Sequence, residues 1–239
     1  TILGNELRTK APASFYPFLA VAFSVVKVLL FCSCLRFSVS PNLTAITDWE
    51  EAVVKHLYDS LFVTRWSRWT AALKIIDLGA GAGFPGIPLA ILFPRQQYFL
   101  VEANKKKAEF LSSVKELLRL DNTFILNERA ETIAHQQAHR SQYTIVTARA
   151  VASTAVLLEL ALPFCQQDGY FVAYKGKNYR EELMAAQNAI GILGAVLSEE
   201  ISYELPNGLG ERNLLIFQKK HFTPAQYPRR PGIPAKRPL

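Results

Sequence analysis

Residues 75–86 read IIDLGAGAGFPG, and no other stretch so narrows what this chain can fold into. The apolar run 73–78 carries one acid, Asp77, and reads as a buried parallel strand. It breaks into Gly79-Ala80-Gly81-Ala82-Gly83, where glycine lets the backbone turn tightly and approach a ligand. The run 87–93 then reads as a short helix. Strand, glycine turn and helix in that order open an α/β fold that holds a nucleotide-like cofactor at the strand's carboxyl end.

The glycine spacing selects among cofactors. A dinucleotide site needs Gly-x-Gly-x-x-Gly. Counted from Gly79, the third glycine would fall at position 84, which holds Phe84. No Gly-Lys-Ser/Thr follows, so a P-loop is excluded. Gly-x-Gly-x-Gly instead resembles the turn of class I methyltransferases, which bind S-adenosylmethionine (SAM). That cofactor has no phosphate; it needs room for its amino-acid end and one wall to pack on. A second strand over 97–101 ends at Glu102, about 20 residues past the turn, where an acid suits ribose hydroxyls. The plainer reading of Glu102 is a solvated loop acid facing Lys105, Lys106 and Lys107.

At 239 residues, half of them apolar, the chain is expected to build one large domain or one domain plus appendages. Its cysteines, Cys32, Cys34 and Cys165, are odd in number and lack metal-ligand spacing, which points to a reducing compartment and no metal. The formal charge is +7, and from Gln218 onward there are six basic residues and no acid: Lys219, Lys220, Arg229, Arg230, Lys236 and Arg237. A basic tail on a near-neutral body suggests a polyanionic partner, nucleic acid first. The alternative is a solvated tail.

Three parts are expected: an atypical segment over 1–41, a catalytic domain over 42–221 and a basic, Pro-rich tail over 222–239. Residues 18–35 are apolar apart from Lys27 and a few serines and cysteines. Read as a membrane span they carry a cost of about 2.5–3.5 kcal/mol for Lys27. A packing helix is the leading reading, ahead of a membrane or targeting segment and of an aberrant start. Thr47 and Glu50 form a capping box, so a helix is expected from near Asp48, burying Val53, Val54, Leu57 and Leu61. Beyond it the pattern alternates in βαβ fashion. Strands are predicted near 73–78, 97–102, 123–127, 143–148 and 169–175, with helices near 87–93, 105–119, 153–162 and 179–193. Two further strands, near 195–204 and 212–219, flank a Pro-Asn-Gly turn at 206–208. Ligands of such sheets bind outside the carboxyl ends of the strands. Glu131, with Ala130 beside it, stands at one such end and could accept from an adenine amino group. Arg149 stands at another and could serve the cofactor carboxylate or a substrate phosphate. The structural alternatives are a helix-terminal acid and a surface salt-bridge arginine.

With these residues in view the chain resembles the RsmG (GidB) family, bacterial methyltransferases acting on N7 of a guanine in 16S ribosomal RNA of the small subunit. The carrying segments are NLTAITDWEEAVVKHLYDSL (42–61), IIDLGAGAGFPGIPLAI (75–91), LVEANKKKAEFL (100–111), RAE (129–131), IVTARAVAS (145–153), FVAYKG (171–176) and YPRRPGIPAKRPL (227–239). The resemblance implies a class I SAM-dependent methyltransferase fold, Rossmann-like. Its mostly parallel seven-stranded sheet carries helices on both faces and an antiparallel last strand. It places cofactor contacts on Gly79, Phe84, Ala130, Glu131 and Arg149, with Phe84 as the packing wall and Glu102 retained from the spacing. Asn42, His56 and Asp59 fall in the family's N-terminal motif and read as structural. The family's usual lead-in to that motif is not matched by 31–41, FCSCLRFSVSP.

Guanine N7 carries a lone pair and no proton, so no catalytic acid, base or nucleophile is assigned. Cys165, after Pro163 at an expected helix end, is expected to be buried. Lys105, Lys106, Lys107, Lys175 and Lys177, with Arg229, Arg230, Lys236 and Arg237 of the tail, are expected to hold RNA phosphates. Removing 222–239 should then weaken RNA binding and leave SAM affinity little changed. The remaining expectations are ribosomal RNA or the small subunit as partner, no membrane, a monomer, and a cytoplasmic location or an organelle of bacterial origin. Two other readings stay open: a SAM methyltransferase for a protein or small molecule, and an RNA-binding product without catalysis.

Overall fold

A computed structural model describes residues 51, 53–149 and 152–239. The expectations for 1–41, for the cap at Thr47 and Glu50, for Asn42 and for Cys32 and Cys34 lie outside these residues.

Seven strands form one sheet in the order β3-β2-β1-β4-β5-β7-β6. They are β1 (Lys74–Leu78), β2 (Gln97–Val101), β3 (Thr123–Leu126), β4 (Tyr143–Arg149), β5 (Cys165–Lys175), β6 (Ala195–Glu204) and β7 (Glu211–Lys219). The pairs from β3 through β5 are parallel, while β7 runs antiparallel to both β5 and β6. The helices are α1 (Gly86–Leu92), α2 (Lys105–Leu118), α3 (Ala130–Ile133), α4 (Thr154–Ala161), α5 (Tyr179–Ala185), α6 (Gln187–Leu193) and α7 (Ile233–Lys236).

The strands are apolar at successive positions because both faces of the sheet are covered. Ile75, Leu100, Ile145, Val172, Leu214 and Ile216 point to one face, against α1, α2 and the helical stretch 53–71. Their neighbours Ile76, Val101, Val146, Phe171, Leu215 and Phe217 point to the other, against α3 to α6 and Tyr227. Val53, Val54, Leu57 and Leu61 are buried as the sequence predicts. The winding differs from a plain α-helix: Val53–Tyr58 is a π-helix, followed by a short α turn and a 3-10 turn, Phe62–Arg65.

Two predicted boundaries shift. The single helix over 179–193 is divided at Ala186, which lies at the sparsely allowed φ −89°, ψ 1°. β5 starts at Cys165, four residues before the predicted strand. Cys165 is therefore a strand residue rather than a helix end, and burial pushes its thiol up to about 12. Gly194 ends α6 in the left-handed region, where a Cβ would sit 2.6 Å from the His221 carbonyl oxygen. No helix among the described residues is long and apolar enough to cross a membrane.

Candidate functional site

The strand order reverses direction between β1 and β4, the place where open α/β sheets form a ligand crevice. The glycine turn follows β1 there. Gly79, Gly81 and Gly83 all take positive φ, at 68°, 58° and 96°. A Cβ on Gly83 would stand 2.6 Å from Ile87 Cγ1, so this glycine lets α1 close on the turn. A Cβ on Gly81 would meet only the Gly79 oxygen, at 3.8 Å, an ordinary contact. The N–H groups of Gly79 and Ala80 donate to the Val101 carbonyl at 2.9 and 3.0 Å, tying the turn to the end of β2.

Two acids fix this geometry. Glu102, 8 % exposed, accepts from the Gly81 N–H at 2.9 Å and from the Asn104 N–H at 2.7 Å, so its carboxylate bridges the turn and the start of α2. Asp77 is buried beneath the turn; it accepts from the Gly86 N–H at 3.1 Å and from the Thr147 hydroxyl at 2.8 Å. Burial raises its carboxyl to about 7, against the lowering pull of those two hydrogen bonds and of Arg149. Asp77 was legible only as the acid inside an apolar run; its fastening of β1, β4 and α1 comes from strands distant in sequence.

Phe84 and Arg149 meet beside the glycine turn. The Arg149 guanidinium lies 5.4 Å from the Phe84 ring centroid, and the His56 ring stacks on the ring's face at 4.9 Å. Arg149 also donates to Asp59 at 3.0 Å and to the Lys55 carbonyl at 2.9 Å, and contacts His56 Nδ1 at 3.1 Å. Burial, then the charges of Arg149 and Lys55, lower His56 to about 4. Asp59 is the hub: it takes the Tyr203 hydroxyl at 2.6 Å and lies 3.9 Å from Arg212. His56 and Asp59 thus join the site through Arg149. Tyr203 and Arg212, from the β6–β7 hairpin, carried no signal in the sequence.

Ala130 and Glu131 open α3 beyond the carboxyl end of β3. Glu131 Oε1 accepts from the Gly232 N–H at 3.1 Å, a contact with the chain's C-terminal segment. That segment is docked rather than free. Arg140 donates to the carbonyls of Tyr227, Thr223 and Pro224, and His135 meets the Pro228 carbonyl at 2.8 Å.

Two expected phosphate contacts need correction. Lys175 is buried, donating to Glu182 at 2.6 Å and to the Ala152 carbonyl at 2.8 Å, so its charge is used internally. Arg229 makes a two-pronged pair with the fully buried Glu159, at 2.8 and 2.5 Å, and is a structural anchor. Lys105, Lys106, Lys177, Arg230, Lys236 and Arg237 are exposed. Among the described residues no three His, Cys, Asp or Glu side chains gather as a metal site.

The turn fits SAM: an uncrowded, left-handed glycine at Gly81, a carboxylate at the end of β2, and an aromatic side chain, Phe84, beside them. Comparison with known proteins agrees. Residues 30–207 match the family model GidB, rRNA small subunit methyltransferase G. Ribosomal RNA small subunit methyltransferase G of Staphylococcus saprophyticus is 46% identical over 198 residues, covering 83% of this chain and 82% of the relative. That of Halalkalibacterium halodurans is likewise 46% identical, covering 83% of each. Among solved structures, M. jannaschii TYW2 in complex with AdoMet matches with a TM-score of 0.52 at 12% identity, over 73% of this chain and 77% of that one. YcgJ from Bacillus subtilis matches with 0.52 at 13% identity, over 70% and 100%. At such identities the two structures establish the fold alone, a class I methyltransferase sheet, while the sequence matches go further: the chain belongs to the rRNA small subunit methyltransferase G (GidB) family.

Proposed function

We propose that this protein transfers the methyl group of SAM to N7 of a guanine in 16S ribosomal RNA. The observation that carries the reading is the glycine turn after β1 pinned by Glu102 where the strand order reverses between β1 and β4, in a chain of this family. Bound there, SAM supplies a methyl group made electrophilic by its sulfonium. The turn 79–83 leaves backbone room for the cofactor's amino-acid end. Glu102 would hold the ribose hydroxyls, its orientation already fixed by two N–H donors. Ala130 and Glu131 would bracket the adenine, and Phe84 would form a wall of the cofactor site. Arg149 steadies that wall and sets a positive charge beside it, partly offset by Asp59.

Since N7 has no proton to lose, the rate comes from placing the base in line with the methyl carbon and excluding water. The guanine must leave its stack to get there. Lys105, Lys106, Lys107 and Lys177, with Arg230, Lys236 and Arg237, are the cations left for phosphates once Lys175 and Arg229 are set aside. The test is mass-spectrometric mapping of ribosomal RNA from a strain lacking this activity, with and without the chain. Restoration of one methyl group at a single 16S guanine is expected; an unchanged map with the folded protein present rules the activity out.

A further inference from the structure

The C-terminal segment runs alongside 131–140 in the opposite direction. Glu131 meets Gly232, His135 meets Pro228, and Arg140 meets Tyr227, Pro224 and Thr223, so rising numbers on one side pair with falling numbers on the other. Each contact after the first lies farther from the carboxyl ends of the strands, because 131–140 leads from the end of β3 back to the start of β4. The strap is anchored midway by Arg229 on Glu159, and Arg229 also reaches the Arg237 carbonyl at 2.7 Å. Tyr227, Pro228 and Pro234 are buried under it. At the cofactor end, among the described residues, it hydrogen-bonds through the Gly232 N–H to Glu131 Oε1, from a left-handed glycine with φ 82°.

We infer that this strap is part of the cofactor site: Gly232 fixes the Glu131 carboxylate so that its second oxygen, Oε2, is presented to the 6-amino group of adenine. Oε2 has no hydrogen bond of its own among the described residues. A half-buried glutamate would otherwise sample several rotamers, and one oxygen held by a backbone donor removes most of that freedom. The inference rests on the SAM reading above and adds a residue to it. It also reverses the sequence expectation that losing the tail spares the cofactor.

The positioning role is separable from a merely structural one by the ligand. Calorimetry would compare S-adenosylhomocysteine with its 6-deamino analogue, on the full chain and on a chain ending at Arg230. That truncation removes Gly232 and keeps the anchors at Thr223, Tyr227, Pro228 and Arg229. S-adenosylhomocysteine should bind the shortened chain about tenfold more weakly, the loss expected when one charged hydrogen bond is no longer pre-set. The analogue, which has no amino group for Glu131, should change less than about twofold on the same reasoning. Gly232→Ala keeps every anchor, and its Cβ would meet nothing within 4 Å, so only the left-handed backbone is disturbed; the same selective loss is expected. Equal losses for both ligands, or none for either, overturn the strap's role. A full chain that binds neither ligand overturns the cofactor reading as well, and the two failures are thereby told apart.

Discussion

Arg229→Ala should destabilise the whole domain, because it strands a charge. Glu159 has no exposed surface, and Arg229 supplies its backbone N–H and Nε to Oε1, both at 2.8 Å, and Nη2 to Oε2 at 2.5 Å. Removing one partner of a buried ion pair costs about 3–5 kcal/mol, since the other is left uncompensated. Two facts place this case at the lower end: the Arg229 side chain is 27% exposed, so solvent already reaches the guanidinium, and its backbone N–H survives the substitution. A loss of about 3 kcal/mol corresponds to a fall of roughly 6–12 °C in midpoint for a domain of this size. Urea unfolding with an unchanged m-value would read the free energy directly. The double variant Glu159→Leu with Arg229→Met removes both charges and keeps apolar volume, so it should recover most of the loss. A single variant within about 1 kcal/mol of the parent, the size of an exposed pair, would refute the argument. So would a double variant as unstable as the single one.

Asp59→Ala leaves the Arg149 guanidinium and the Tyr203 hydroxyl without their shared acceptor, and S-adenosylhomocysteine affinity should fall about tenfold by calorimetry. Gly83→Ala combines φ 96° with a Cβ 2.6 Å from Ile87 Cγ1, and should cost about 2–4 kcal/mol in urea unfolding. His56 is held neutral in the fold, near 4 against an ordinary 6.5, so the folded state binds fewer protons than the unfolded one between those values. The His56 contribution to stability is therefore full above pH 6.5 and is lost as pH falls toward 4, by up to roughly 3 kcal/mol, while Asp77, raised to about 7, acts in the opposite direction over the same range; the difference in pH dependence between the parent and His56→Gln isolates the histidine. Replacing Lys105, Lys106 and Lys107 with Gln should raise KM for RNA, flatten its salt dependence and leave S-adenosylhomocysteine affinity unchanged.

The sheet was legible because it is buried on both faces. Continuous apolar runs such as those at β1, β4 and β7 announce strands, and the glycine spacing with Phe84 announces which cofactor they carry. Local signals end there. Nothing near Ala186 marks a helix division, since no proline or glycine stands at the break. The misplaced roles of Lys175 and Arg229 share one cause. A basic residue beside a strand end or in a tail reads as free charge, whereas its partner, Glu182 or Glu159, is set by how α4 and α5 pack on the second face.

The same physics explains why the site depends on parts that sequence motifs keep separate. Arg149 at the end of β4 cannot be buried beside Phe84 unless its charge is met, and the acid that meets it comes from the segment before β1. Asp59 in turn is buried, and the oxygen that Arg149 leaves over takes the Tyr203 hydroxyl from the hairpin beyond α6, with Arg212 near it. Each group in this chain would be a cost without the next. The wall at Phe84 is therefore only as rigid as the β6–β7 hairpin lets it be. Tyr203→Phe, which deletes one donor and keeps the ring stacked at 3.6 Å on Phe62, isolates that dependence. It should loosen cofactor binding by a smaller factor than Asp59→Ala, and a loss larger than that of Asp59→Ala would mean that the hairpin acts on the site by a route other than Asp59.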